Sequence, residues 1–419
     1  MDRPVVIFED DCFGKFYPLT LTRPVYDLRC GIFSLAEKVG RRLKAVGGAS
    51  GLHFHGRADL LSSAHATVAS YAGLVRGHDV VTFVNARLIV REELLSAIDL
   101  DWAGKYVASG VTAIANVPGP VAAGFDKYLG RPIEEESFAA LPTRESAALV
   151  ADYPWDLVNR NGEEIRRDFG LLDEGTVRPA LFPGAHFINE SDVKVAGDVS
   201  ISPGAVIDAS GGPVNIGKGA RIMANATLTG PVHVGTRSVI RAGASICPGT
   251  SIGPVSKIGG EVAQSIVQGY SNKQHGGFLG HSYLGEWVNI GAGTNTSDMK
   301  NNYSTVRVPF PGRVVDSGEM FVGLLMGDHS KSGIGTIFNS GTSVGVCCNV
   351  FGAGYPPKGI PSFVWGCGSE FAEHKFESAV ETARRVMERR GIELSEHCED
   401  LLKALFEKTR QERSEFLAR

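Results

Sequence analysis

From Ile216 onward an aliphatic residue occupies every sixth position: Ile216, Ile222, Leu228, Val234, Ile240, Ile246, Ile252 and Ile258. A helix repeats its faces every 3.6 residues and a strand every two, so neither produces this spacing. Four positions after each aliphatic stands a small or β-branched residue (Ala220, Ala226, Val232, Ser238, Ala244, Thr250, Ser256, Val262), and Gly, Pro or Asn fill many of the gaps. The pattern predicts the hexapeptide repeat of a parallel β-helix. Each hexad supplies a short strand with its aliphatic inward and a Gly-rich corner, and stacked coils bury one continuous column. The same step occurs upstream at Val195, Ile201 and Ile207, with a three-residue insertion within 210–213. It resumes at Phe278, Leu284 and Ile290, then more loosely at Met326, Ser332, Phe338, Val344 and Val350.

Two other regions flank this repeat. In residues 1–175, apolar runs at 5–8 and 80–84 alternate with helical patterns at 33–46 and 92–100, the order of an α/β domain with a mostly parallel sheet. The β-helix spans 180–368, and a non-repeating excursion interrupts it at 296–319. Such an excursion costs order without adding to the stacked core, which makes it a candidate place for function. The tail, 369–419, is nearly without Gly and Pro. Phe376, Val380, Ala383 and Met387 fall on one helical face, Gly391 suits a C-terminal cap, and Ser395 suits the N-cap of a second helix ending near Arg419. A helical cap or packing arm over the open end of the solenoid is the expected role.

Composition narrows the function classes. A formal net charge of -4 offers no electrostatic footprint for nucleic acid. The first residues, MDRPVVIFEDDC, place acids where a signal peptide needs an apolar run, and no stretch is long enough to cross a bilayer, so a cytoplasmic location is expected. The seven cysteines lack C-x-x-C spacing, which suggests neither a disulfide framework nor a zinc site; adjacent Cys347 and Cys348 read as small fillers at hexad positions.

An α/β domain followed by a hexapeptide β-helix, with the string NIGAGT at 289–294, resembles the bifunctional N-acetylglucosamine-1-phosphate uridyltransferase/glucosamine-1-phosphate acetyltransferase family. The resemblance implies a nucleotidyltransferase-like, Rossmann-like domain, a left-handed parallel β-helix, and a homotrimer. In that family a histidine opens H-L-x-Y-x-G upstream of the N-[IL]-G-A-G-T asparagine. Counting back from Asn289 without a gap places it at His275, with Phe278 at the tyrosine position. His281, in GHSYLG, is the competing candidate, six residues out of register. An amino-sugar ammonium must lose a proton before it attacks a thioester, and imidazole suits that task. By the same resemblance Asn289, Asp298 and Lys300 hold substrate. Asp298 stands where the family has an asparagine, where it would either repel a phosphate or pair with a substrate ammonium. His329 and Lys331, in MGDHSKSG, read as solvated corner residues.

The first domain departs from the family pattern. Pro18-Leu19-Thr20 and Arg23-Pro24 match it, but the Gly-rich loop is replaced by FEDDCFGKF, whose acids oppose a triphosphate. Lys15 falls at the family's arginine and, with Arg23, is a candidate phosphate contact. Asn85, Ala86 and Arg87 stand where a magnesium-binding aspartate belongs. The segment YPWDLVNRN resembles the family's Y-P-W-D-L-L-x-x-N and leaves Asp156 and Asn161 as candidate Mg²⁺ ligands, against a packing and capping role.

Three readings follow. In the first, the chain acts in sugar-nucleotide biosynthesis of the UDP-N-acetylglucosamine type, with acetyl-CoA-dependent N-acetylation of an amino-sugar phosphate at the β-helix and a diverged nucleotidyltransferase domain in front. In the second it is an active UTP- or dTTP-dependent sugar-1-phosphate nucleotidyltransferase whose β-helix serves trimerisation. The third is a non-catalytic regulatory or scaffold protein.

Overall fold

A computed structural model describes residues 3–45, 51–60, 66–173, 175–367 and 370–418. Val46, Ser369 and Arg419, element boundaries in the sequence pattern, lie outside them. No helix among the described residues is long and apolar enough to cross a membrane. The chain divides into two compact units: 1–16, 22–28 and 33–153 form one, and 17–21, 29–32 and 154–419 the other. The Pro154–Phe169 helix therefore packs with the solenoid, upstream of the boundary expected near 175, and so does the tail.

The first unit holds a six-stranded sheet. Pro4–Phe8 runs parallel to both Gly51–His55 and Val80–Asn85. Val111–Pro118 then pairs antiparallel with Val80–Asn85 and with Gly104–Ala108, so the sheet is mixed where a mostly parallel one was expected. The cause is local: Ser109 and Gly110, both at positive φ, make a tight turn that feeds one strand straight back along its neighbour. An aromatic cluster of Phe8, Tyr71, Phe83, Phe125 and Phe138 fills one side.

The second unit is the parallel solenoid. Its first face stacks nine strands, from Val193–Val195 to Gly359–Ile360. The second begins with His186–Ile188 and the third with Ser200–Ile201. Each aliphatic of the hexad series from Ile216 to Ile258 is fully buried. Val195 pairs with Ile216, Ile201 with Ile222 and Ile207 with Leu228, so the 210–213 insertion sits in a corner as read from sequence. Downstream the inward residue of the second face is Leu279, paired with Val262, rather than Phe278. The coils shorten ahead of it: Ile240 pairs with Ile258 eighteen residues on, but Ile246 pairs with Val262 sixteen on and Ile258 with Lys273 fifteen on. The excursion carries a hairpin, Arg307–Phe310 with Arg313–Asp316.

One corner is left-handed in coil after coil. Arg237, Val255, Tyr270, Trp287, His329, Cys347 and Phe363 all have φ between 53° and 60°. Trp287 stacks on Tyr270 at 4.5 Å and on His329 at 6.1 Å. The tail covers this corner: Val380, Ala383 and Met387 of the Phe376–Glu388 helix pack against Trp287, Cys347 and Phe363. It thus runs along the solenoid as well as closing its end, where Phe416 meets Phe371. Gly391 has φ 69°, and the Cys398 N–H donates to Ser395 Oγ at 3.2 Å, so both predicted caps are present. Cys347 and Cys348 are both buried, which pushes each thiol up to about 12.

Lys273 breaks the aliphatic column. It occupies the inward position next to Ile258, is 1% exposed, and donates to the carbonyls of Gly259 (2.9 Å) and His275 (3.1 Å). Burial lowers its ammonium from the ordinary 10.5 to about 8. The unfolded chain then binds more protons than the native one between those two values, so stability rises as pH rises through that window. Urea unfolding at pH 7 and pH 10 should show this rise reduced in Lys273→Met by on the order of 1–3 kcal/mol relative to the parent. Equal pH slopes for the two proteins would contradict the assignment.

Candidate functional site

The excursion leaves and rejoins the solenoid at a single corner. His281 sits there with φ 43°, its N–H donating to the Ala263 carbonyl and its own carbonyl accepting from Gly323. One coil further along, Asp298 begins the excursion, and its carbonyl accepts from the Val322 N–H at 2.8 Å as the chain returns. These ladder bonds fix the two side chains: His281 Nδ1 donates to Asp298 Oδ2 at 2.8 Å. The ring also stacks on Phe321 at 4.9 Å, with an interplanar angle of 22°. Gly280 makes the approach possible, because a Cβ there would collide with the Asp298 carboxylate. The two side chains are 18% and 17% exposed, so the pair is reachable yet largely shielded. An ionised carboxylate only accepts, so in the neutral imidazole the proton lies on Nδ1 and the lone pair on Nε2. No protein partner engages Nε2 among the described residues. A base, an orienting carboxylate and a shielding ring form a constellation suited to proton abstraction.

His275 stands elsewhere. It is exposed, its carbonyl accepts from Lys273, and its imidazole makes no hydrogen bond among the described residues. Asp298 pairs with His281, not with His275. Asn289 is on the third face, bridged to Asn272 and Lys331, and is not brought together with His281. Lys300, two residues past Asp298, donates to Ser304 Oγ at 3.4 Å and to the Thr305 carbonyl, bracing the excursion. Lys331, read above as solvated, is half-buried, and its Nζ donates to the His329 carbonyl at 2.7 Å.

In the first unit the acids of the loop are already neutralised. Glu9 is fully buried, takes Arg57 in a two-pronged contact (2.9 and 3.1 Å) and accepts the Val25 N–H. Asp10 accepts from Arg87 at 2.6 Å and from Asn85 at 2.9 Å. Arg87, 1% exposed, also reaches Asp152 at 2.9 Å, and Lys15 donates to the same carboxylate at 2.9 Å. Lys15 is thus paired, and Arg23 is buried. Arg87 and Asn85, which stand where a magnesium ligand was missed, hold Asp10 themselves. Asp10, Asp11 and Cys12 do cluster, but a guanidinium on Asp10 does not suit a second cation. The candidate ligands Asp156 and Asn161 do not fit magnesium either. Asn161 is fully buried on the Pro154–Phe169 helix, its Oδ1 accepting from the Gly31 N–H and its Nδ2 donating to the Gly249 carbonyl and Ser251 Oγ. Both ends of the carboxamide are engaged in fastening that helix to the solenoid, and half-buried Asp156 stays in its first turn.

Residues 5–177 match the family model described as sugar nucleotidyl transferase, and residues 213–248 match the bacterial transferase hexapeptide (six repeats) model. The chain is a distant GlmU-like relative, joining a sugar nucleotidyltransferase domain to a hexapeptide repeat. A bifunctional sugar-1-phosphate nucleotidylyltransferase/acetyltransferase of Sulfurisphaera tokodaii is 30% identical over 106 residues, 25% of this chain and 26% of that protein. GlmU of Marinobacter nauticus is 35% identical over 137 residues (32% and 29%), and GlmU of Micrococcus luteus 26% over 218 (46% and 39%). The chain thus spans under half the length of these curated relatives. Among solved structures, the N-acyltransferase AntD of Bacillus cereus, in complex with dTDP and 3-hydroxybutyryl-CoA, shares 17% identity over 47% of this chain and 91% of that one, with a TM-score of 0.24. Perosamine N-acetyltransferase of Caulobacter crescentus, as a histidine-to-asparagine mutant with CoA and GDP-perosamine, shares 15% over 42% and 55%, with a TM-score of 0.16.

The sequence did carry a signal for the His281–Asp298 pair in this GlmU-like chain. Coils here take seventeen residues, as in Ile266 with Tyr283, and His281 and Asp298 are seventeen apart. Residues one coil apart stack side by side, about 4.8 Å between strands. Phe321 carried no such signal, because the excursion has no repeat to count along.

Proposed function

We propose that the solenoid transfers an acyl group, acetyl from acetyl-CoA in the simplest case, to the amine of an amino-sugar phosphate, with His281 as the base. The hydrogen bond between His281 and Asp298 carries this reading. The ammonium first loses one proton to solvent; Nε2 takes a second from the amine nitrogen as it adds to the thioester carbonyl, and the imidazolium gives that proton to the departing thiolate, leaving the amide and the free thiol. Asp298 holds the tautomer and stabilises the imidazolium, as an orienting carboxylate does. In this reading Asp298 neither opposes the substrate phosphate nor pairs with the substrate ammonium, but serves the imidazole. Acetyl transfer should fall by ~10²–10⁴ in His281→Ala and clearly, though less, in Asp298→Asn, while His275→Ala stays near the parent. Steady-state release of free CoA thiol measures all three. The reverse ranking of the two histidines would restore the ungapped family register and remove His281 from the reaction.

The match of residues 5–177 to a sugar nucleotidyl transferase model favours a second reading, nucleotidyl transfer in the first unit. The proposal is that this activity is weak or absent, because Arg87 and Asn85 already occupy Asp10, a member of the Asp10-Asp11-Cys12 cluster. Pyrophosphate release with magnesium, sugar phosphates and UTP or dTTP decides it. Rates near the ordinary enzymatic ~1–10³ s⁻¹ would overturn the proposal. Silence in both assays would instead favour the scaffold reading.

We further propose a homotrimer, closed by cyclic symmetry. Light scattering at micromolar concentration should report three chain masses, and a clean monomer would refute it.

A further inference from the structure

A second cleft lies on the third face, where the end of the Phe376–Glu388 helix crosses the solenoid. Its floor is one outward column: Lys257 pairs with Asn272, Asn272 bridges to Asn289, and Asn289 to Lys331. Its wall is the helix end, with Arg389 and Arg390 beside Val386, and Trp287 and Gln274 complete a cavity of about 240 Å³. Arg390 is locked across the gap, its Nη2 donating to Asn272 Oδ1 at 2.7 Å. Four cations therefore surround one small space, and no carboxylate lines it among the described residues. Their mutual repulsion is visible: burial, then Arg390, Arg389, Arg221 and Arg241, hold the Lys257 ammonium below its ordinary value. Burial and then Arg389 do the same to Arg390. Cations at a helix C-terminus are stabilised by the helix dipole, which accounts for Arg389 and Arg390. It does not account for Lys257 and Lys331, which come from the strands opposite.

Like charges held together around a cavity lined by amides are a standing cost that an anion removes. At about 240 Å³ the space is below the ~300–1,000 Å³ that encloses a drug-sized ligand, so it takes a compact charged group and leaves the rest of the molecule outside. We propose that this cleft binds the diphosphate of a phosphate-bearing small molecule. Arg389 and Arg390 offer forked donors and Lys257 and Lys331 point charges, the mixture suited to phosphate oxygens. Asn289 and Gln274 supply amides for groups beside the diphosphate. The site is separate from the His281 corner and stands whether or not His281 is the base. The same diphosphate occurs in coenzyme A and in nucleotides, and the experiment distinguishes these sources.

Inorganic pyrophosphate, ADP, UDP and coenzyme A are titrated calorimetrically into the full chain, its Arg389→Ala/Arg390→Ala variant, Lys331→Gln, and the remote Lys218→Ala. At least one diphosphate should bind the parent and Lys218→Ala equally. Its affinity should fall ten-fold or more in the double variant, or in Lys331→Gln should the double variant fail to fold. Preference for coenzyme A assigns the site to an acyl donor; equal binding of ADP and UDP assigns it to a free nucleotide. No binding of any of the four, or a fall of less than ten-fold, overturns the proposal. His281→Ala keeps this binding, so failure of the acyl-transfer reading and failure of this one are told apart.

Discussion

The parallel backbone ladder of the solenoid is the constraint from which the His281 corner and the basic cleft both follow. Each coil is hydrogen-bonded to the next, and the inward aliphatics are sealed in one column, so a residue's neighbours are set by coil length, not by local sequence. Two residues separated by one coil become side-by-side groups about 4.8 Å apart at the backbone. Chemistry is assembled by choosing what stands at the same outward or corner position in successive turns. His281 with Asp298 is one such choice, and Lys257, Asn272, Asn289 and Lys331 another.

Departures from the repeat gather around the His281–Asp298 corner. The coil from Ile258 to Lys273 is shortened, and Lys273 replaces an aliphatic in the column. The next corner holds His281 at positive φ, a conformation that costs a non-glycine residue some strain and persists only where the surroundings impose it. Immediately after comes the excursion, whose two ends are tied to that corner through Asp298 and Gly323. A regular solenoid needs none of this for stability. A buried lysine, a strained corner and an inserted hairpin in consecutive turns are the mark of a region shaped for something besides stacking.

The column itself was legible from sequence because inward positions are all aliphatic and recur at a fixed step, and the structure keeps that register from Val195 to Ile258. The helical tail was legible for the same reason: Val380, Ala383 and Met387 make one stripe, and Gly391 and Ser395 are end signals. What escaped depends on how coils align. The ungapped count from Asn289 runs along the chain and favoured His275, whereas partners across coils are set by the seventeen-residue step that lays Asp298 beside His281. The mixed sheet escaped because the run 111–118 is as apolar as a parallel strand, and only the turn at Ser109 and Gly110 reverses its direction. The basic cleft joins residues more than a hundred positions apart, Lys257 to Arg390, and no spacing announces it.

The two units treat their charges in opposite ways. In the first, carboxylates that would face a triphosphate are matched by buried guanidinium groups: Glu9 by Arg57 and Asp10 by Arg87. Removing either partner of such a buried pair is costly, ~3–5 kcal/mol, so the network is a structural commitment that a metal or phosphate would have to disrupt. In the solenoid the matching is incomplete. His281 has one nitrogen fixed by Asp298 and the other without a protein partner among the described residues, and four cations converge on a cleft with no acid in its lining. Ligands act on charge that the fold has left uncompensated, because there they gain interaction without breaking any. By that criterion the uncompensated charge on the described residues lies in the β-helix and its tail, while in the unit matched by the sugar nucleotidyl transferase model the loop charges already neutralise one another.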